Sequence, residues 1–220
     1  MSSEVEICNL ALSRIRSQSI NSLEGQSVQA QQCKLNYPIL RDMMLNDHAW
    51  GFAHKIRPLV LTENVIFNWA YAYKYPSDCM NINRVVLGYE EINQATQISS
   101  PRVSYHTDAD VIDPQYLRSQ VPYEIFNFTT KMIGTNQPDV RIDYRSKVTD
   151  PTLFPTPFVM ALSYLLAAEI AVTIVGAESG RALRADSFKM YQNYLNSAIA
   201  NDLNEQYQPV LDSEYVIARR

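Results

Sequence analysis

Ile7, Ala11 and Ile15 recur four residues apart with Cys8 and Leu12 beside them, the spacing of a single helix face. Ser3 precedes that stripe and Glu6 stands three positions later, the pair that closes a capping box. After a polar loop through Gly25, Ala30, Cys33, Tyr37, Leu40 and Met44 repeat at intervals of three and four and predict a second helix. Pro38 falls inside it and is expected to bend it, because proline removes a backbone donor.

Between Trp50 and Met80 the period changes from helix to strand. Phe67, Trp69, Tyr71, Tyr73 and Tyr75 place a ring at every second position, alternating with Asn68, Ala70, Ala72 and Lys74. Side chains two apart on a strand share a face, so this ladder predicts one face for burial and one for water, ended at Pro76. From Gly51 to Lys147 no helical period is sustained, and short strand signals are separated by Asn, Pro, Ser and Gly. Val140, Ile142 and Tyr144 alternate with Asp139, Arg141, Asp143 and Arg145, giving an apolar face and a charged face expected to be solvated.

A proline-rich hinge from Asp150 to Pro157 precedes a third helical stretch, with Thr156 as the expected N-cap and Pro157 at the first helical position. The helix from Phe158 to about Val175 is apolar around most of its circumference, and Gly176 ends it. Beyond Ser179 a further helix is predicted, with Ala185, Phe188, Tyr191, Leu195, Ile199 and Leu203 on its inner face. The expected architecture is α+β. Helical segments 1–50 and 151–206 form one bundle, a mostly antiparallel β domain is inserted at 51–150, and 207–220 is an extended tail. A helix apolar on nearly all sides in a chain this small sits at the centre of the bundle or faces another copy. On that basis Leu162, Leu165, Leu166 and Ile170 are candidate subunit contacts.

Composition narrows the function classes. A net charge of -4 and a pI near 5.4 argue against gripping phosphate backbones, which takes clustered Lys and Arg. Three cysteines without a CxxC pair support neither a disulfide framework nor a structural zinc site. Glu4 and Glu6 stand where a secretory signal would carry basic residues before an apolar run, so none is expected. Phe158 to Val175 falls short of the roughly 20 residues a bilayer requires, carries Glu169, and is read as a buried helix without a polybasic anchor.

Candidate chemistry is sparse. Nucleophile-elbow, phosphate-loop, dinucleotide and zinc-helix motifs are missing from the sequence. His48 and His54 flank Trp50 but have no carboxylate or cysteine at ligand spacing. Asp108, Asp110 and Asp113 form an acidic cluster without the glycine and terminal Glu of a helix-loop-helix calcium site. Glu90 or Glu91 with Asp108 or Glu124 would be the carboxylates of an alternative reading, a tail-associated peptidoglycan or polysaccharide hydrolase. The aromatic ladder lacks the interleaved cations of a base-stacking platform, with Lys74 alone nearby. No cofactor or metal is expected.

One ordered set of segments covers nearly the whole chain. It comprises Asn9-Leu10-Ala11-Leu12-Ser13-Arg14-Ile15; Cys33, Tyr37, Arg41-Asp42 and Leu45; Trp50-Gly51-Phe52-Ala53; and Tyr73-Lys74-Tyr75-Pro76-Ser77-Asp78-Cys79. It continues with Asp143-Tyr144-Arg145, Val148-Thr149-Asp150-Pro151, Phe154, Ala161-Leu162, Leu165-Leu166-Ala167-Ala168, and Glu214 to Ala218 followed by Arg219-Arg220. In order and spacing it resembles the head-to-tail adaptor of short-tailed bacteriophages, the tail tubular protein A family. The resemblance implies a non-enzymatic virion protein, assembled in the bacterial cytoplasm as a ring of about twelve copies. The ring would lie beneath the portal protein and above the tail nozzle or tube protein, with genomic DNA passing through without sequence-specific contact. Such a subunit buries its sides against two neighbours through a heterologous, closing interface. The tail is then the expected portal-docking element, with Leu211, Tyr215, Val216 and Ile217 as apolar anchors and Arg219 and Arg220 as charged ends.

Overall fold

In the computed structural model, which describes residues 3–62, 68–87, 121–127 and 129–205, Ser3 closes the predicted capping box. Its hydroxyl accepts from the Glu6 N–H at 3.1 Å, and the Glu6 carboxylate accepts from the Ser3 N–H at 2.8 Å. Helix α1 (Glu4–Arg14) buries Ile7, Cys8, Ala11 and Leu12. The loop after it is pinned by Asn9, whose amide donates to the Ile20 carbonyl and accepts from the Ile20 N–H at 2.9 and 2.8 Å. Ser27 caps α2 (Val28–Asp47), which continues through Pro38 for 20 residues. The predicted stripe Ala30, Cys33, Tyr37, Leu40 and Met44 is its buried face.

The fold class is α+β, with four helices and two small antiparallel sheets. Contacts divide the chain into two compact units, one from the residues up to His54 together with Arg145–Glu205, the other from Lys55–Tyr144.

In the helical unit, α3 (Thr156–Val175) and α4 (Ala177–Glu205) follow the first two helices. Helix α3 starts at Thr156 itself with Pro155 at the cap position and no side-chain cap bond, so the expected Thr156 cap does not form. Gly176 alone separates α3 from α4, at φ 96° and ψ 167°, a region essentially confined to glycine. The turn is so tight that α4 begins at Ala177, before the expected start beyond Ser179. The two helices run antiparallel. Gly180 lies against Val172, Arg184 reaches Glu169, and Tyr194 stacks on Tyr164 with centroids 5.2 Å apart. Arg14 of α1 lies over Tyr164 at 4.3 Å from the ring centroid, adding a third helix to that stack. Helix α3 touches α1, α2 and α4, and eleven of its residues are buried. At its N-terminal end Trp50, Phe52, Phe154 and Phe158 form an aromatic cluster, with Phe158 5.0–5.2 Å from the other three rings, edge-on to Trp50 and Phe52 and tilted against Phe154.

In the β unit, strands β1 (His54–Pro58), β6 (Val140–Ser146) and β3 (Cys79–Leu87) form one sheet in that spatial order, and β2 (Tyr71–Lys74), β5 (Lys131–Thr135) and β4 (Tyr123–Asn127) form the other. Both contribute to one core of Tyr73, Val85, Val121, Ile133, Val140, Ile142 and Tyr144. The predicted apolar face of β6 is therefore the buried one. Its charged face is not simply solvated. Asp143 is buried and accepts from Arg84 Nε at 2.8 Å and Asn83 at 3.0 Å, a pairing that makes burial of its charge tolerable. Asp78 accepts from Lys55 at 2.8 Å and from the Tyr144 hydroxyl at 3.0 Å. Burial works against its ionisation, but those hydrogen bonds and the Lys55 and Arg57 charges outweigh it and hold the carboxyl below its usual range.

The aromatic ladder divides. Phe67 lies outside the described residues. Asn68 takes a left-handed φ of 73°, which breaks the alternation before the strand begins at Tyr71. Tyr71, Tyr73 and Tyr75 face the shared core, while Trp69 packs with Ala72, Met132 and Phe126 on the opposite face. There its indole covers Gly134, where an added Cβ would come within 2.8 Å of the ring, and donates to Glu124 at 3.1 Å. On the face expected to meet water Asn68, Ala70 and Lys74 are exposed as anticipated, and only Ala72 is covered.

A Cβ at Gly180 would stand 2.8 Å from the Val172 Cα and 2.9 Å from the Ala171 carbonyl oxygen. Backbone cannot yield as a side chain can, so Gly180→Ala should cost about 1–3 kcal/mol despite alanine's better helix propensity. Urea unfolding monitored by circular dichroism checks this, and a stabilised variant would contradict the close approach.

Candidate assembly surface

The four residues expected to meet a neighbouring copy do not reach the surface. Leu162, Leu166 and Ile170 are fully buried and Leu165 nearly so. Helices α1, α2 and α4 surround α3 within one chain, so its apolar circumference is covered by its own protomer. By length and composition α3 could cross a membrane, and most of it is buried in the helical unit instead.

The apolar surface left in the open is elsewhere. On α2, Val28, Leu35, Ile39 and Met43 are between 41% and 61% exposed. Successive residues turn about 100° around a helix, so these four form one seam, on the side away from Cys33, Tyr37 and Met44. Helix α2 is therefore apolar along two lines, one of which remains uncovered. The same spacings that reveal the buried stripe reveal this one in the sequence.

Helix α4 corrects its expected inner face. Of the six residues assigned there, only Tyr191 is buried; Ala185, Phe188 and Leu203 are exposed, and Leu195 and Ile199 are half-buried. The buried residues of α4 are instead Gly180, Ser187, Tyr191, Ala198 and Asp202, and Tyr194 meets Tyr164 of α3. At Gly180 the α3 backbone comes so close that a larger side chain does not fit. Phe188, Leu195, Ile199 and Leu203 then make a second open or half-open seam.

A clasp fixes the C-terminal end of α4. Asp202 is buried, and its carboxylate lies 3.1 Å from His48 Nε2 and accepts from the Gly51 N–H at 2.8 Å. The His48 ring stands edge-on to Trp50 at 4.8 Å, and the Trp50 indole donates to the Met44 carbonyl at 2.7 Å. Spacing in the sequence does not show this partner, which comes from 154 residues away. Burial first, and the Asp47 charge second, raise the Tyr191 phenol above its usual range on the same stretch of α4.

Elsewhere among the described residues the Cys8 and Cys33 thiols lie together in the core, and the Cys79 thiol donates to the Tyr75 hydroxyl at 3.2 Å. No group of three or more His, Cys, Asp or Glu there could hold a metal ion. Glu124 is engaged by Trp69. Glu90, Glu91 and the Asp108, Asp110 and Asp113 cluster lie outside the described residues, as do Leu211, Tyr215, Val216, Ile217, Arg219 and Arg220. An open groove of about 360 Å³, lined in part by Ile15, Arg16, Gln29, Ile174 and Leu183, has serines on its wall but no histidine or carboxylate. The chain matches no protein-family profile and no curated protein.

Covered and uncovered apolar positions should answer differently to truncation. Leu166→Ala should lower unfolding free energy by about 2–5 kcal/mol, whereas Ile39→Ala should change it by less than about 0.5 kcal/mol. Equal losses on urea titration would mean that the α2 seam is not free.

Proposed function

We propose that the chain is a structural head-to-tail adaptor of a short-tailed bacteriophage virion, a ring-forming subunit that joins the portal protein to the tail nozzle and lines the DNA exit channel. One observation carries the assembly part of this reading: a helical unit with its own buried core still leaves one apolar seam open on α2 and a second half-open on α4. Soluble monomers seldom expose contiguous apolar surface on that scale unless it meets a partner. The ordered resemblance along the sequence supplies the identity of the assembly. A mildly acidic chain suits a conduit, since a wall that condensed on phosphates would retard the DNA moving past it.

In this reading the portal is engaged by residues 208–220, with Leu211, Tyr215, Val216 and Ile217 inserting apolar anchors and Arg219 and Arg220 pairing with acidic groups. The His48–Asp202 clasp supports that role by holding α4 still within one turn of its last residue, Glu205. The copies, about twelve to a ring, assemble in the host cytoplasm, and the protein acts by position rather than by catalysis.

Electron micrographs and co-sedimentation of the purified protein with its cognate portal test the proposal. The full chain should decorate the portal as a ring, and deletion of 208–220 should abolish attachment while leaving the circular dichroism spectrum of the helical unit intact. Failure of the full chain to attach would overturn the adaptor reading, and undiminished attachment of the deletion would overturn the docking role of the C-terminal segment.

A further inference from the structure

The open seam of α2 and the half-open seam of α4 share one spacing. Val28, Leu35, Ile39 and Met43 are separated by seven, four and four residues, and so are Phe188, Leu195, Ile199 and Leu203. The gap of seven is filled at the same place in each by a glutamine, Gln32 or Gln192. Both seams are therefore about 22 Å long at 1.5 Å per residue and carry the rhythm by which helices interdigitate. We infer that they are the two halves of one interface, the α2 seam of one copy lying antiparallel against the α4 seam of the next. This rests on the ring-forming reading and names the surfaces that would build the ring.

Charge sets the direction. With the helices antiparallel and Met43 opposite Phe188, Val28 stands opposite Leu203, Asp42 opposite Lys189 and Asp47 opposite Arg184, while Ile39 and Ile199 pack beside Gln192 and Gln32 rather than against each other. The parallel alternative brings the Asp47 end of α2 towards Glu205, a like charge. Asp42 already holds Arg41 and Lys147 within its own chain, and Arg184 makes a long contact of 3.6 Å with Glu169 between two largely exposed side chains. Arg184 is 56% exposed and keeps an open side for a second partner, whereas both carboxylate oxygens of Asp42 are already engaged. The antiparallel arrangement also sets Glu205 near the N-terminus of α2, where a negative charge is favoured. Because the seams are different surfaces of the same chain, each copy offers one and receives the other, the head-to-tail geometry that closes into a ring.

Complementation of two dead seams provides the test. Ile39→Asp disables the first and Phe188→Asp the second, and both positions are exposed enough for the fold to persist, which circular dichroism verifies. Native mass spectrometry and sedimentation velocity at high protein concentration should show species beyond dimer for the unmodified chain and monomer for each variant alone. The equimolar mixture should give a one-to-one dimer that grows no further, since one intact seam of each kind remains. Association of either variant alone, a monomeric mixture, or a monomeric unmodified chain would each overturn the pairing. A chain that stays monomeric yet sediments with portal overturns the seams and leaves the adaptor reading. A chain that assembles through the seams yet ignores portal does the reverse.

Discussion

Water is an unfavourable neighbour on nearly every side of α3, and the rest of the helical unit is arranged so that little water reaches it. Each Leu, Ile, Val or Phe side chain taken out of solvent contributes about 1.5–3 kcal/mol, and Phe158, Val159, Leu162, Leu165, Leu166 and Ile170 are all buried. Covering a helix on all sides takes more than one partner, hence α1 and α2 besides α4. The alanines at 161, 167, 168 and 171 and the glycine at 180 let those partners come close. Phe188 and Leu203 of α4 stay exposed, outside this enclosure.

The apolar residues left exposed connect the fold to the assembly proposed above. The unit satisfies its central helix internally and transfers its apolar surplus to α2 and α4, surfaces that a neighbouring copy can reach without disturbing the core. A subunit built this way can fold before it assembles. Under the proposed adaptor function this would suit a subunit that waits for its portal, because an interface made by exposing the central helix would leave the waiting molecule prone to aggregation.

Local rules made much of the fold legible. The Ser3–Glu6 box, the buried stripes of α1 and α2 and the alternation of Val140, Ile142 and Tyr144 follow from periods of 3.6 and 2, which neighbours in sequence determine. What escaped depends on partners distant in sequence or on a single backbone angle. Periodicity alone does not say whether α3 is covered by its own chain or by another. The α4 stripe reads correctly as apolar but its inward side is set by Gly180, where α3 comes too close for a side chain. Asn68, left-handed among extended residues, sends Trp69 to the opposite face from Tyr73. Asp143 reads as one of four solvated charges until Arg84 and Asn83 are found beside it, and His48 reads as isolated until Asp202 arrives from the far end of the chain. The candidate surface was half legible, since the residues of both seams are plain in the sequence and only their exposure is not.

Native-state hydrogen exchange on the dilute, monomeric chain tests the central claim most directly. If α3 is enclosed by its own protomer, the amides of 158–171 exchange only through global unfolding and gain no further protection when the protein assembles. Amides in that stretch that exchange readily in the monomer and become protected only on assembly would show that α3 is covered by a neighbouring copy after all.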